Sequence, residues 1–319
     1  MHDFKQEFTT LQYIVAHGKN ILLVAHTRPD PDAVGSVLAL KEYLEELNIT
    51  VEIACYSPFP EFLINMLDGH FSHPDDLDLL SYDVVIGCDS VDRGFADIID
   101  QVNDDCVTVA IDHHHDIVLD ADLLIIDPTY AATCEILYEY FIFIDLIITK
   151  EIATTLLLGI LGDTGGFQHA NTSAHVMKAA ADLMQHGADT SCIMERVFAN
   201  KKIETLKLWG TALEKARLNT ETGMIVTALT TEDLHGEEPT SEDIKEVASI
   251  LSTVPDTKYS LIIFQISEDR IKASLRAQKG AGVDVSKIAH QFGGGGHPLA
   301  SGFELDGKII DHDGEWEIV

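Results

Sequence analysis

Ile21-Leu-Leu-Val-Ala25 is apolar at every position rather than at alternate ones. That pattern predicts a strand of a parallel sheet, buried on both faces. His26, Asp30 and Asp32 follow it closely. Small residues, Ala33-Val-Gly35-Ser36, then open an amphipathic helix over Val37–Leu47. The same grammar recurs along the chain. Tyr82–Cys88 runs into Asp89, with Asp92 and Arg93 behind it. Cys106–Ile111 runs into Asp112-His113-His114-His115-Asp116, and a helical Ala153–Gly162 runs into Asp163-Thr-Gly-Gly166. One acid after a strand is ordinarily a helix cap or a turn residue. Four such acids in order argue for a shared purpose. Parallel neighbouring strands would bring them together at the carboxyl edge of the sheet, where ligands of open α/β sheets collect. One imidazole and two carboxylates in the first segment suit a hard or borderline divalent cation.

Up to about residue 185, strand-like and helix-like segments alternate, which predicts a doubly wound, mostly parallel α/β domain. Helical patterns follow at Ser173–His186, Thr190–Phe198 and Ile203–Leu218, with Gly187 as a stop after the first. The texture changes at Gly223. Met224–Leu229, Tyr259–Ile266 and Arg270–Arg276 read as strands of a smaller mixed α/β domain, and the acidic stretch Thr230–Glu246 reads as a solvated loop entering a helix. The expected organisation is a first domain at 1–186, a helical linker at 187–222 and a second domain at 223–319. In that second domain Gly293, Gly294, Gly295 and Gly296 precede His297, between a helical pattern at Val285–Phe292 and a strand. Four glycines cost backbone entropy. In return they let a ligand approach the chain, and successive N–H groups can form an anion-binding concavity. His297 adds a polar contact there. Arg276 offers a bidentate phosphate fork, or is an ordinary surface arginine.

Composition narrows the field. The 319 residues are 46% hydrophobic, enough for two real cores. A formal charge of −32 excludes a nonspecific binder of long duplex nucleic acid, which needs a basic footprint. A small phosphorylated ligand stays compatible, because bound cations invert the local field. Cys55, Cys88, Cys106, Cys134 and Cys192 form no Cys-x-x-Cys pair and read as reduced thiols of a cytoplasmic protein. The N-terminus has no signal-peptide core, and the longest apolar stretch, Phe141–Ile148, is broken by Asp145, so no membrane association is expected.

Taken together, these residues resemble the DHH phosphoesterase family over nearly the whole chain. Its motifs are matched by His26-x-x-x-Asp30-x-Asp32, by Asp89, by Asp112-His113-His114, by Asp163, and by the glycine motif Gly293–His297 of the DHH-associated domain. Length and layout are most similar to the oligoribonuclease/pAp-phosphatase branch. RecJ-type exonucleases carry extra domains, and family II manganese pyrophosphatases lack the glycine motif. The resemblance implies two Mn²⁺ ions, with Mg²⁺ or Co²⁺ as alternatives. His26 and Asp30 would hold one ion, and Asp32, His113 and Asp163 the other, with Asp89 bridging. A water or hydroxide between the ions would attack phosphorus. His114 would face substrate phosphate, and Asp112 would orient a neighbouring histidine. Arg276, the glycines and His297 would bind substrate across an interdomain cleft. The implied substrates are short oligoribonucleotides, dinucleotides such as pApA, and pAp; a homodimer is compatible. A cyclic-dinucleotide phosphodiesterase or manganese pyrophosphatase is the alternative. A silent nucleotide sensor fits worst, since every ligand position is filled. Gln168-His169 departs from the residues common in relatives, and His115 and Asp116 are read as loop.

Overall fold

The apolar run after Lys19 forms β1 (Asn20–Val24), flanked on both sides within a five-stranded sheet. Its partners are β2 (Thr50–Ala54), β3 (Val84–Cys88), β4 (Val107–Asp112) and β5 (Leu123–Ile126), in the order β2-β1-β3-β4-β5. All four pairings are parallel. The computed structural model describes residues 2–60, 63, 70–90, 94–114, 119–199, 203–234, 241–278, 280–312 and 315–319. The expected loop residues His115 and Asp116, and Asp92 and Arg93, lie outside them.

Burial on both faces explains the unbroken apolar strands. Ile21 and Leu23 join one core, Leu22 and Val24 the other. The first core is covered by α1 (Lys5–His17), α2 (Pro31–Glu46), α3 (Thr133–Phe143), α4 (Lys150–Asp163) and α5 (Ala174–Gln185). On the second face the ring of Phe95 lies against Gly87, where a Cβ would come within 2.6 Å of it. Two helices approach unusually closely. A Cβ on Gly35 of α2 would sit 2.4 Å from the Thr155 carbonyl oxygen of α4, and one on Gly159 of α4 would sit 2.6 Å from Asp32 Oδ1. Glycine is therefore required where α2 crosses α4. The strand order places the change of winding direction at β1 and β3, so the crevice beyond their carboxyl ends is the natural ligand position.

The chain divides into two units, Met1–Asn200 and Lys201–Val319. The segment expected as one helix at Thr190–Phe198 is a single α-turn, Thr190–Ile193, followed by a π-helix, Met194–Ala199. The second unit starts with α6 (Ile203–Lys215) and β6 (Arg217–Asn219). The helical pattern predicted to Leu218 thus stops early, because Arg217–Asn219 pairs antiparallel with the next strand through a turn at Gly223, whose φ is +74°. There follow β7 (Met224–Leu229), α7 (Ser241–Ser252), β8 (Tyr259–Ser267), β9 (Arg270–Ala277), α8 (Val285–Gln291), β10 (Gly295–His297) and β11 (Ala300–Asp306). The six-stranded sheet has the order β10-β11-β9-β8-β7-β6, with β7 and β8 parallel and the other pairs antiparallel. β12 (Ile309–His312) and β13 (Glu315–Ile318) form a separate ribbon. Leu208 and Ala212 of α6 pack with Ile225, Leu229 and Phe264, so α6 is part of this unit's core. No helix among the described residues is long and apolar enough to cross a membrane.

Candidate metal centre

Four chain segments deliver their polar residues to the carboxyl edge of the parallel sheet. His26 comes two residues after β1, Asp89 directly after β3, and Asp112 ends β4 with His113 and His114 behind it. Asp163 is the last residue of α4. Asp30 and Asp32 belong to the start of α2. Asp30 is its N-cap, its Oδ1 accepting from the Asp32 and Ala33 amides at 3.0 and 3.1 Å. Its Oδ2 lies 3.4 Å from His26 Nε2.

The six residues fall into two sets, and the Asp89 carboxylate of the first faces His113 of the second. His26, Asp30 and Asp89 make the first, and Asp32, His113 and Asp163 the second, each with its donor atoms within 4.8 Å of one another. Asp89 Oδ2 lies 3.6 Å from His26 Nε2, and its Oδ1 lies 3.6 Å from His113 Nε2. A third grouping, Asp89 with His113 and His114, overlaps both. Asp89 itself has φ +56°, a left-handed conformation that aspartate tolerates better than most residues and that turns the chain sharply off the strand.

The electrostatics call for a cation. Asp32 and Asp89 are almost wholly buried, at 0% and 1% exposure. Burial first, and the charge of Asp163 second, push the Asp32 carboxyl up to about 7. Burial, then Asp32 and Asp30, push Asp89 well above the carboxylate range. Burial alone would lower the His113 imidazolium, but Asp163 and then Asp32 and Asp112 hold it up at about 10. His113 Nε2 is 2.9 Å from Asp163 Oδ2, though not aligned as a hydrogen bond. His26 is more telling. Its Nδ1 donates to the Thr27 carbonyl at 2.9 Å, which leaves Nε2 facing Asp30 and Asp89. That Nε2 is buried and has no hydrogen-bond partner among the described residues. A buried, unpartnered imidazole nitrogen aimed at crowded carboxylates fits a divalent ion, and the N/O donor set without thiolate fits Mn²⁺, Mg²⁺ or Co²⁺.

His114 stands beside the two sets. Asp112 Oδ1 accepts from its amide at 2.9 Å and lies 2.7 Å from its Nδ1, fixing the ring. Two residues absent from the expected site also reach it. The Thr133 and Cys134 amides donate to Asp32 Oδ2 and Oδ1 at 2.6 and 2.9 Å, and Thr133 Oγ1 donates to Asp89 Oδ1 at 3.2 Å. α3 starts after Ala132, which has no capping side chain, so its first N–H groups are satisfied from elsewhere. After α4, Asn171 Nδ2 donates to the Ala131 and Asp163 carbonyl oxygens at 3.1 and 3.3 Å, and His169 Nδ1 lies 2.8 Å from the latter.

The substrate-binding candidates belong to the second unit. Arg276 of β9 pairs across the sheet with Ala300, which pairs in turn with His297 of β10, so Arg276 and His297 share a rung and a face. Arg276 Nη1 donates to the Leu275 carbonyl at 2.9 Å. Gly295 and Gly296 form part of the edge strand β10. A Cβ on Gly294 would meet the Gly302 carbonyl oxygen at 2.2 Å, and one on Gly296 the Ala300 carbonyl oxygen at 2.6 Å. Gly293 has φ +74° and open space around it.

Residues 20–160 match the DHH family, N-terminal domain, and residues 221–312 match the DHHA1 domain. The chain is 28% identical over 291 residues to the bifunctional oligoribonuclease and PAP phosphatase NrnA of Thermus thermophilus, covering 91% of this chain and 86% of that one. It is also 28% identical, over 294 residues, to the protein of the same name in Bacillus subtilis, covering 89% of each. Among solved structures, an exopolyphosphatase-related protein from Bacteroides fragilis superposes with a TM-score of 0.85 over 94% of this chain and 91% of that one, at 23% identity.

Proposed function

This chain belongs to the DHH family, carrying its N-terminal domain and a DHHA1 domain, and on that premise we propose that it is a metal-dependent phosphoesterase of short oligoribonucleotides. It hydrolyses dinucleotides such as pApA and short RNA to mononucleotides, and pAp to AMP. The observation that carries this reading is the Asp89 carboxylate, whose two oxygens are divided between the His26 set and the His113 set at 3.6 Å each.

His26, Asp30 and Asp89 would hold one divalent cation, and Asp32, His113, Asp163 and Asp89 a second; Mn²⁺ suits both. Such cations supply Lewis acidity: they lower the pKa of water and neutralise charge growing on phosphoryl oxygens. The chain's own residues do the rest. Asp112 fixes His114, which offers its ring to a phosphate oxygen of the substrate. In the second unit, Arg276 and His297, which share a rung, are the proposed contacts for phosphate and sugar, and Gly293 has open space around it. At −32, the protein repels each phosphate left outside the site, which limits the substrate to a few nucleotides. Five free cysteines, four of them buried, support a reducing, cytoplasmic setting.

The test is hydrolysis by protein stripped with chelator and resupplied with Mn²⁺, over pAp, pApA, two- to five-nucleotide RNA and pyrophosphate. AMP release from pAp and pApA is expected. Rapid pyrophosphate hydrolysis with intact nucleotides would move the chain to the pyrophosphatase reading.

A further inference from the structure

The helix that follows β5 starts against both metal sets. Its first residue, Thr133, is completely buried. The Thr133 amide donates to Asp32 Oδ2 at 2.6 Å, and the Thr133 hydroxyl donates to Asp89 Oδ1 at 3.2 Å. Asp32 belongs to the second donor set, whereas Asp89 belongs to the first and lies 3.6 Å from His113 of the second. One residue thus holds a carboxylate of one set and the carboxylate that lies between His26 and His113.

We propose that Thr133 is a positioning residue that sets the orientation of the Asp89 carboxylate and, through it, the spacing of the two cations; this rests on the two-cation reading above. The argument is one of geometry. The terminal torsion of an aspartate is broad, so nothing within Asp89 itself prescribes which way its carboxylate plane turns. If the plane rotates, one oxygen turns away from His26 or from His113. The hydroxyl on Oδ1 removes that freedom. It also uses one lone pair of Oδ1 and leaves the other for an ion.

Thr133 is itself held from outside the site. Glu135 is buried, accepts from the Ala131 amide at 2.6 Å, and lies 2.8 Å from His175 Nδ1. Asn171 takes the Ala131 carbonyl and, from the same nitrogen, the Asp163 carbonyl. The turn before α3 is therefore tied to the fourth acid as well. Removing the hydroxyl alone, with the amides left in place, isolates the part of this arrangement that acts on Asp89. Valine matches threonine in shape and lacks the hydroxyl; serine keeps it.

The experiment is Mn²⁺ titration of chelator-stripped wild type, Thr133→Val, Thr133→Ser and Asp89→Asn by calorimetry, with electron paramagnetic resonance of the loaded proteins. Wild type should bind two Mn²⁺ and show a spin-coupled pair. Thr133→Val should bind the more weakly held ion about tenfold or more less tightly, the scale of a lost hydrogen bond to a charged group, and its pair signal should change. Thr133→Ser should restore both to within about twofold. Adding Thr133→Val to Asp89→Asn should cost much less than it does in wild type, since both act on one carboxylate. Equal Mn²⁺ binding and an unchanged pair signal in Thr133→Val would overturn the proposal, as would a Thr133→Ser no better than valine. Should the valine variant not fold, Thr133→Ala carries the same comparison. Failure of the wild type to hydrolyse any nucleotide, with the variant pattern intact, would overturn the substrate reading and leave the role of Thr133 standing. A wild type that binds no second ion would overturn both.

Discussion

Replacing Gly159 with alanine tests whether the close crossing of α2 and α4 builds the metal centre. The added methyl would lie 2.3 Å from Cys134 Sγ, 2.6 Å from Asp32 Oδ1 and 3.0 Å from Asp32 Cα. Relaxed carbon contacts are about 3.5–4.0 Å, so the overlap is about 1 Å. Asp32 cannot swing aside cheaply, because the Thr133 and Cys134 amides hold both of its oxygens. The helices must part instead, and Asp32 then moves relative to Asp163. Alanine gains about 1 kcal/mol over glycine in a helix interior. Overpacking costs about 1–3 kcal/mol, and a clash this short belongs at the upper end. The net loss is about 1–2 kcal/mol, or a Tm lower by about 2–8 °C for a unit of this size. An ångström of displacement at the ligands should cost hydrolysis about 10²-fold. Gly210 is the control. It lies within α6 with nothing inside 4 Å of its would-be Cβ, so Gly210→Ala should stabilise its unit by up to about 1 kcal/mol and leave hydrolysis unchanged. Thermal melts, Mn²⁺ titration and pAp hydrolysis read out both variants. A Gly159→Ala protein as stable and as active as wild type would refute the reasoning.

Asp89→Ala should lower turnover by more than about 10²-fold, because it removes the carboxylate that lies between His26 and His113; near-normal kcat in a folded variant would count against the bridge. Arg276→Ala should raise KM for pAp by about 10- to 150-fold with little change in kcat, as expected for a charged hydrogen bond made equally in ground and transition states; a kcat effect alone would assign it elsewhere. RNA cleavage at low salt should fall steeply from two to about ten nucleotides, past the ~4 nucleotides of the smallest single-strand sites, and added salt should partly restore the longer strands. The metal-free protein should lose stability as pH rises. Folded Asp32 keeps its proton up to about 7 and folded His113 up to about 10, whereas their unfolded values are 3.8 and 6.5, so between pH 4 and 10 the folded state binds more protons and each pH step favours unfolding. Mn²⁺ displaces those protons and should raise Tm more at pH 8 than at pH 5.5; a chelated protein equally stable at both pH values would contradict the buried-carboxylate electrostatics.

Much of the first unit was legible because its central strands carry an unambiguous signal. Ile21–Val24 and Val84–Cys88 are buried on both faces, the pattern a parallel sheet covered by helices makes. β2 and β5 were harder. Thr50–Ala54 begins exposed, and Leu124 is 42% exposed. Edge strands mix polar and apolar positions, so their periodicity resembles that of loops. Helix α3 was missed for a different reason: with a mean composition as apolar as Ile136-Leu-Tyr-Glu-Tyr-Phe141 and no capping residue before it, neither a polar face nor a start signal marks it.

The site divides along the same physical line. Residues that end apolar runs announce themselves, because a carboxylate or imidazole next to a buried strand is costly unless something uses it. Thr133 and Asn171 act through a hydroxyl and an amide nitrogen on groups far away in sequence, the Thr133–Asp89 pair being separated by 44 positions and the Asn171–Ala131 pair by 40. No local pattern encodes such a contact. It appears only once α3 and α4 have been packed against the sheet. In the second unit the glycines were legible as a cluster, but their several duties were not. Gly294 and Gly296 leave room for the neighbouring strand's backbone, whereas Gly293 has open space and a left-handed φ. Substitution should separate these duties: alanine at Gly294 or Gly296 strains the sheet edge, and at Gly293 it strains only the local turn.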